Sequence, residues 1–116
     1  MQELTTDLLI AINKSIGEKG TVVNPGNLSY LVEAAAAVKE PIFAAASLLF
    51  DIITLHPFLD GNKRTAVVTA ESYLSVFDIK TNISDDEFEK IVYEIAIGKH
   101  TKRGIAKILK DKSGIK

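Results

Sequence analysis

The chain has 116 residues, a length that suits one domain built around one core. Apolar residues make up 47% and charged residues 25%, enough to fill an interior and to cover a soluble surface. The net charge of -1 argues against a general nucleic-acid binder, and the absence of cysteine excludes disulfides and thiolate metal sites.

The opening stretch, MQELTTDLLI, carries acids rather than a basic start, so no signal peptide is read there. Leu4, Leu8, Leu9 and Ile12 repeat at helical spacing, and Gly17 can end that first helix. The segment GEKGTVVNPGN follows. Its glycines, Asn24-Pro25 and Asn27 are turn chemistry, while Thr21 to Val23 favour extended backbone. A short exposed ribbon or flap is expected there.

A second helix is expected from about Leu28 to Val38. Pro41 is well placed at the first position of the next one. From Ile42 to Leu55 nearly every face is apolar, which marks a central helix buried on all sides. Asp51 interrupts that run, and the run is too short to cross a bilayer. The expectation is a cytoplasmic protein without a membrane partner or direct nucleic-acid contact.

A further helix starts near Asn62 and carries Ala66, Ala70, Tyr73, Leu74 and Phe77 at spacings of three and four. Ser84, followed by Asp85, Asp86 and Glu87, predicts a capping box and a helix start. Phe88, Ile91, Val92 and Ile95 form the inner stripe of that helix, and Gly98 ends it. Ile105, Ile108 and Leu109 suggest a short last helix. No internal repeat, low-complexity segment or second domain is visible, so residues 1–116 are read as a single domain. The alanine-rich stretches EAAAAV and FAAAS are read as close helix packing.

Residues 56 to 65, HPFLDGNKRT, join the buried helix to the start of its successor. The first N–H groups of a helix lack internal partners and carry the positive end of its dipole, which makes an anion site. Gly61 lets a ligand or a tight turn approach the backbone, and Asn62, Lys63 and Arg64 add donors at the same end. Two cations at a helix N-terminus suit a bound polyanion. Asp60 is the acid that could hold Mg²⁺ beside phosphates, and His56 is the side chain that could accept a proton near neutral pH. Phe58 is expected to turn inward and anchor the loop. Base, metal ligand and anion cradle are the parts of phosphoryl or nucleotidyl transfer. The same residues also read as an ordinary turn-and-cap sequence with a solvated basic face. His100 has no neighbours that suggest chemistry, and Lys99, Lys102, Arg103, Lys107 and Lys110 make the C-terminal part basic.

The stretch HPFLDGNKRTA resembles the signature of the Fic-fold superfamily: His-Pro-Phe, any residue, Asp or Glu, then Gly-Asn. The following NKRTA is similar to the death-on-curing (Doc) branch, the toxins of toxin–antitoxin pairs. The resemblance implies an all-α fold, a compact bundle of about six helices with a short extended flap. It implies His56 as the base toward a target hydroxyl and Asp60 as the Mg²⁺ ligand. Gly61, Asn62, Lys63 and Arg64 would cradle the phosphates of ATP. Thr21, Val22, Val23 and Asn24, with the flap running on to about Asn27, would hold the target polypeptide by backbone pairing.

Fic-type AMP transferases typically have glycine where this chain has Lys63, and a second arginine where it has Val67. Both departures favour the Doc-type reaction, transfer of the γ-phosphate of ATP to a protein, with a translation elongation factor as the family's target. AMP transfer and a non-catalytic nucleotide- or partner-binding module are the alternatives. Ser29 to Glu33 approaches the superfamily's inhibitory motif, but Ala34 stands where glycine or asparagine is required. Restraint would then fall to a separate antitoxin protein.

Overall fold

The run from Ile42 to Ile53 contains so little polar surface that the helix carrying it must be enclosed. The computed structural model describes residues 4–114. It consists of six helices: α1 Thr6–Ser15, α2 Pro25–Ala36, α3 Pro41–Leu55, α4 Asn62–Val76, α5 Asp85–Ala96 and α6 Lys102–Ser113. α3 lies at the centre and packs against α2, α4, α5 and α6, while α1 packs on α4 and α2. One continuous hydrophobic cluster joins all six, from Leu9 through Leu31, Leu48, Leu49, Ile52 and Leu74 to Ile95, Ile105 and Leu109. Among the described residues no sheet forms; the extended backbone is a single antiparallel bridge between Val22 and Phe58.

Small side chains let neighbouring helices approach α3. Ala44, Ala45 and Ala46 are all fully buried, as close packing requires. The alanine stretch of α2 contributes less, since Ala35 is buried while Ala36 and Ala37 face solvent.

Helix ends follow local chemistry. Thr5 and Thr101 cap α1 and α6 through their hydroxyls. The Glu40 carboxylate accepts the N–H groups of Ile42 and Phe43 at the start of α3. Ser84 and Glu87 form the expected capping box of α5. Lys112 and Ser84 hold the Glu87 carboxyl below its ordinary range. Two boundaries differ from expectation. α2 begins at Pro25, not Leu28, because proline at a first helical position costs no hydrogen bond and presets the backbone. Asn24-Pro25 is therefore a helix start, and residues 25–27 belong to α2 rather than to a flap. The last helix is not short: α6 has 12 residues, as many as α5.

Asp51 is buried inside α3, and Lys102 at the start of α6 donates to its carboxylate at 2.9 Å. A buried carboxylate needs such a partner, because an isolated one would be strongly destabilising. The same ammonium lies 5.9 Å from the centre of the Phe50 ring. His100, half-buried, lies 3.1 Å from the Glu94 carboxylate and holds that carboxyl below its usual range. That contact accounts for His100 structurally.

Lys102→Ala should destabilise the fold by about 2 kcal/mol, less than a fully buried pair because Lys102 keeps some solvent contact. Urea unfolding measures this, and adding Asp51→Asn to Lys102→Ala should recover part of the loss.

Candidate active site

The loop between α3 and α4 is held by its own backbone and by four asparagines. His56 caps the C-terminus of α3 in the left-handed region, at φ 45° and ψ 62°. A non-glycine residue pays about 1–2 kcal/mol there, so neighbouring contacts must hold it. They come from the start of α2. Asn24 Nδ2 donates to the His56 carbonyl at 2.7 Å, and Asn27 Nδ2 donates to the Leu55 carbonyl at 2.9 Å. The last carbonyls of α3 thus find side-chain donors.

The next residues pair with the segment before α2. The N–H groups of Val23 and Asn24 donate to the Pro57 carbonyl, and the Leu59 N–H donates to the Thr21 carbonyl. The expected exposed ribbon is docked along one edge onto the loop itself. Phe58 turns inward as expected and is 1% exposed. The Asn62 amide closes both backbone groups of Phe58: Oδ1 accepts its N–H at 3.0 Å, and Nδ2 donates to its carbonyl at 2.8 Å. The Asn62 side chain is thus engaged by the loop, and what it presents at the start of α4 is its backbone N–H.

Asn13 of α1 is the residue that the sequence reading missed. It is 1% exposed. Its Nδ2 donates to the Asp60 carbonyl at 3.0 Å and to Thr65 Oγ1 at 3.1 Å, while its Oδ1 accepts the Gly20 N–H at 2.9 Å. One amide joins α1, the loop, α4 and the segment leading to Thr21. A polar residue on the inner side of α1 was the only sign of it in the sequence.

Gly61 precedes α4 with φ 77° and ψ 17°, a conformation that favours glycine. A Cβ there would also lie 2.6 Å from Cγ of Glu18. The group that approaches Gly61 is therefore the Glu18 side chain, whose carboxylate lies beside the N-terminus of α4. Glu18 is a second residue that the sequence reading did not single out.

Leu59 faces solvent, 60% exposed, and so do the ionisable side chains His56, Asp60, Lys63 and Arg64. None of these four has an ion-pair partner among the described residues. α4 has no side-chain cap and no acid in its first turn. The contrast is α5, whose first turn carries a capping box and three acids. Both ends carry the same dipole; one is neutralised by its own sequence and the other bears two cations. The arrangement brings His56, Asp60, Gly61, Asn62, Lys63 and Arg64 onto one loop and helix end. Thr21, Val22, Val23 and Asn24 lie against that loop. No group of three or more His, Asp or Glu that could hold a metal occurs among the described residues. A single carboxylate suits a Mg²⁺ ion that arrives with phosphate oxygens and water.

Asn13→Leu leaves the Asp60 carbonyl and the Gly20 N–H unsatisfied. It should cost about 2–3 kcal/mol of stability, measured by denaturant unfolding. Hydrogen exchange at the Gly20 amide should speed up in that variant, because its acceptor is gone.

Ser29 and Glu33, the partial inhibitory motif, are both exposed on α2. No helix among the described residues is long and apolar enough to cross a membrane. No curated protein matches the sequence. The model of the Fic/DOC family matches residues 3–74, a stretch that contains α1, the Val22–Phe58 bridge, α3 and the loop. That match covers well over half of the chain, which belongs to the Fic/DOC family.

Proposed function

We propose that this protein is a Doc-type transferase that moves the γ-phosphate of ATP to a hydroxyl on another protein. The observation that carries the proposal is the uncapped start of α4, where Lys63 and Arg64 meet open N–H groups directly after His56 and Asp60. A triphosphate is the ligand that such an end suits. The family's fold is in keeping with a protein-modifying transferase.

In this reading the target hydroxyl gives its proton to the imidazole of His56. The hydroxyl oxygen attacks the γ-phosphorus, the bond to the β–γ bridging oxygen breaks, and ADP leaves. Asp60 holds the Mg²⁺ that accompanies the nucleotide. Gly61, Asn62 and the two cations hold the phosphates, Asn62 through its backbone. Lys63 adds bulk and charge where an AMP transferase would keep glycine, which favours phosphate transfer. The Val22 N–H and carbonyl have no hydrogen-bond partner among the described residues and lie on the edge of the segment turned away from Phe58. That edge can pair with an extended target segment. A translation elongation factor is the proposed target, the cytoplasm the proposed location, and a separate antitoxin the proposed restraint. The chain acts as a single domain in this reading.

Intact-mass spectrometry of a purified elongation factor, incubated with the protein, ATP and Mg²⁺, tests the reaction. The expected gain is one phosphoryl group; a gain of one AMP would establish the alternative transfer. No gain, together with no label transfer from ATP to any lysate protein, would favour a binding module without catalysis. His56→Ala should slow transfer by about 10²–10⁴-fold, and chelating Mg²⁺ should stop it.

A further inference from the structure

A cavity of about 180 Å³ lies between α1 and α4. Leu4, Leu8 and Ile12 line it from one side, and Thr69, Tyr73 and Val76 from the other. The last three recur at spacings of four and three, so they share one face of α4. We propose that the cavity binds a small neutral ring carrying one hydroxyl, a simple phenol. The proposal is independent of the phosphate site above and uses none of its residues.

The hydroxyl of Thr69 carries the argument. Thr69 is 1% exposed, and its Oγ1 has no hydrogen-bond partner among the described residues. A threonine inside a helix can turn its hydroxyl onto a carbonyl one turn back. Thr54 does so in α3, donating to the Phe50 carbonyl at 2.9 Å. Thr65, one turn before Thr69, accepts from Asn13 instead. Of these three, Thr69 is the one left without a partner. A buried hydroxyl in that state costs stability, and it can both donate and accept. Because Thr69 lines the cavity, a ligand hydroxyl held there can supply the partner it lacks.

Size, charge and ring packing define the rest of the ligand. A cavity of about 150 Å³ walled by aliphatic side chains takes benzene, so this one has room for a ring and one polar group. It is well below the roughly 300 Å³ at which drug-sized sites begin. No charged side chain lines it. An acid, an amine or a phosphate would lose its water there without gaining a counter-charge, which leaves neutral molecules. Tyr73 favours a ring over an aliphatic chain. It packs against Phe77 with ring centroids 5.3 Å apart and planes tilted by 50°, and a third ring in the cavity would extend that aromatic row. Ile12 adjoins Asn13, so the ligand would occupy the same seam between α1 and α4 that the Asn13 amide spans.

NMR titration of the full chain with phenol and, separately, with toluene tests the proposal. Phenol should shift the backbone amides of Leu8, Ile12, Thr69 and Tyr73. Two variants are compared with the unchanged protein: Thr69→Val, which removes the hydroxyl and keeps the shape, and Leu8→Trp, which fills the cavity. Thr69→Val should weaken phenol binding by about fivefold or more while toluene binding stays within about twofold. Its melting temperature should not fall, because the hydroxyl it removes is unpaired. Leu8→Trp should abolish binding of both rings, with circular dichroism confirming that its helices are kept; if it does not fold, Thr69→Val decides alone. If Thr69→Val binds phenol as the unchanged protein does, or weakens both rings equally, the hydroxyl is not the recognised group and the proposal fails. A lower melting temperature for Thr69→Val would overturn it too, since the hydroxyl would then already have a partner. Tighter binding of hexanol than of phenol would overturn the choice of a ring. If neither ring binds the unchanged protein, the cavity is not a small-molecule site.

Discussion

The buried amide of Asn13 is the interaction on which the arrangement of the site depends. Its two polar atoms reach the Asp60 carbonyl, the Thr65 hydroxyl and the Gly20 N–H. Asp60 precedes α4, Thr65 lies in its first turns, and Gly20 leads into the segment that pairs with the loop. A buried amide with every partner in place stabilises one geometry strongly, because each alternative would leave a polar group unpaired. His56 is held in its left-handed conformation on the opposite side of the loop by Asn24, and Asn27 holds the residue before it. The loop is therefore braced from α1 and from α2, while its ionisable side chains are left to face solvent.

That division separates the side chains that hold the loop from the ionisable ones it exposes. Asparagines do the positioning, since an amide both donates and accepts without carrying charge. Charged groups are kept out of the bracing and gather on the outer face. The two helix starts show the same separation electrostatically. α5 neutralises its dipole with Ser84, Asp85, Asp86 and Glu87, whereas α4 sets Lys63 and Arg64 beside its open N–H groups. Glu18, lying against Gly61, brings one negative charge to that end from a different segment. A groove between α4 and α5 consequently runs from a basic to an acidic helix start.

Much of the fold was legible because helical periodicity and capping are local. The apolar run of α3 announced a central helix, and Ser84 with Glu87 announced the start of α5. The start of α2 was misread because Asn-Pro-Gly-Asn is turn chemistry by composition, yet the same proline suits a first helical turn. The last helix was read as short because its polar residues outnumber the apolar ones that mark its inner face. The flap was legible as extended backbone, but its docking onto Pro57 and Leu59 was not, since strand pairing joins residues distant in sequence. Asp51 looked like an interruption of an apolar run; its partner, Lys102, lies 51 residues away.

Local sequence by itself determined that the chain would form helices, in what order, and that HPFLDGNKRT would join a buried helix to the start of its successor. Tertiary structure alone decided which polar side chains hold the loop and which remain outside it. Asn62 reads as an anion-binding side chain in sequence, yet packing turns its amide back onto Phe58. Asn13 reads as an ordinary helix residue, yet it meets partners 47 and 52 residues away. The physical reason is one of range. Backbone preference and hydrophobic period act within a few residues, whereas the pairing of a buried polar atom is settled only when packed helices bring distant segments together.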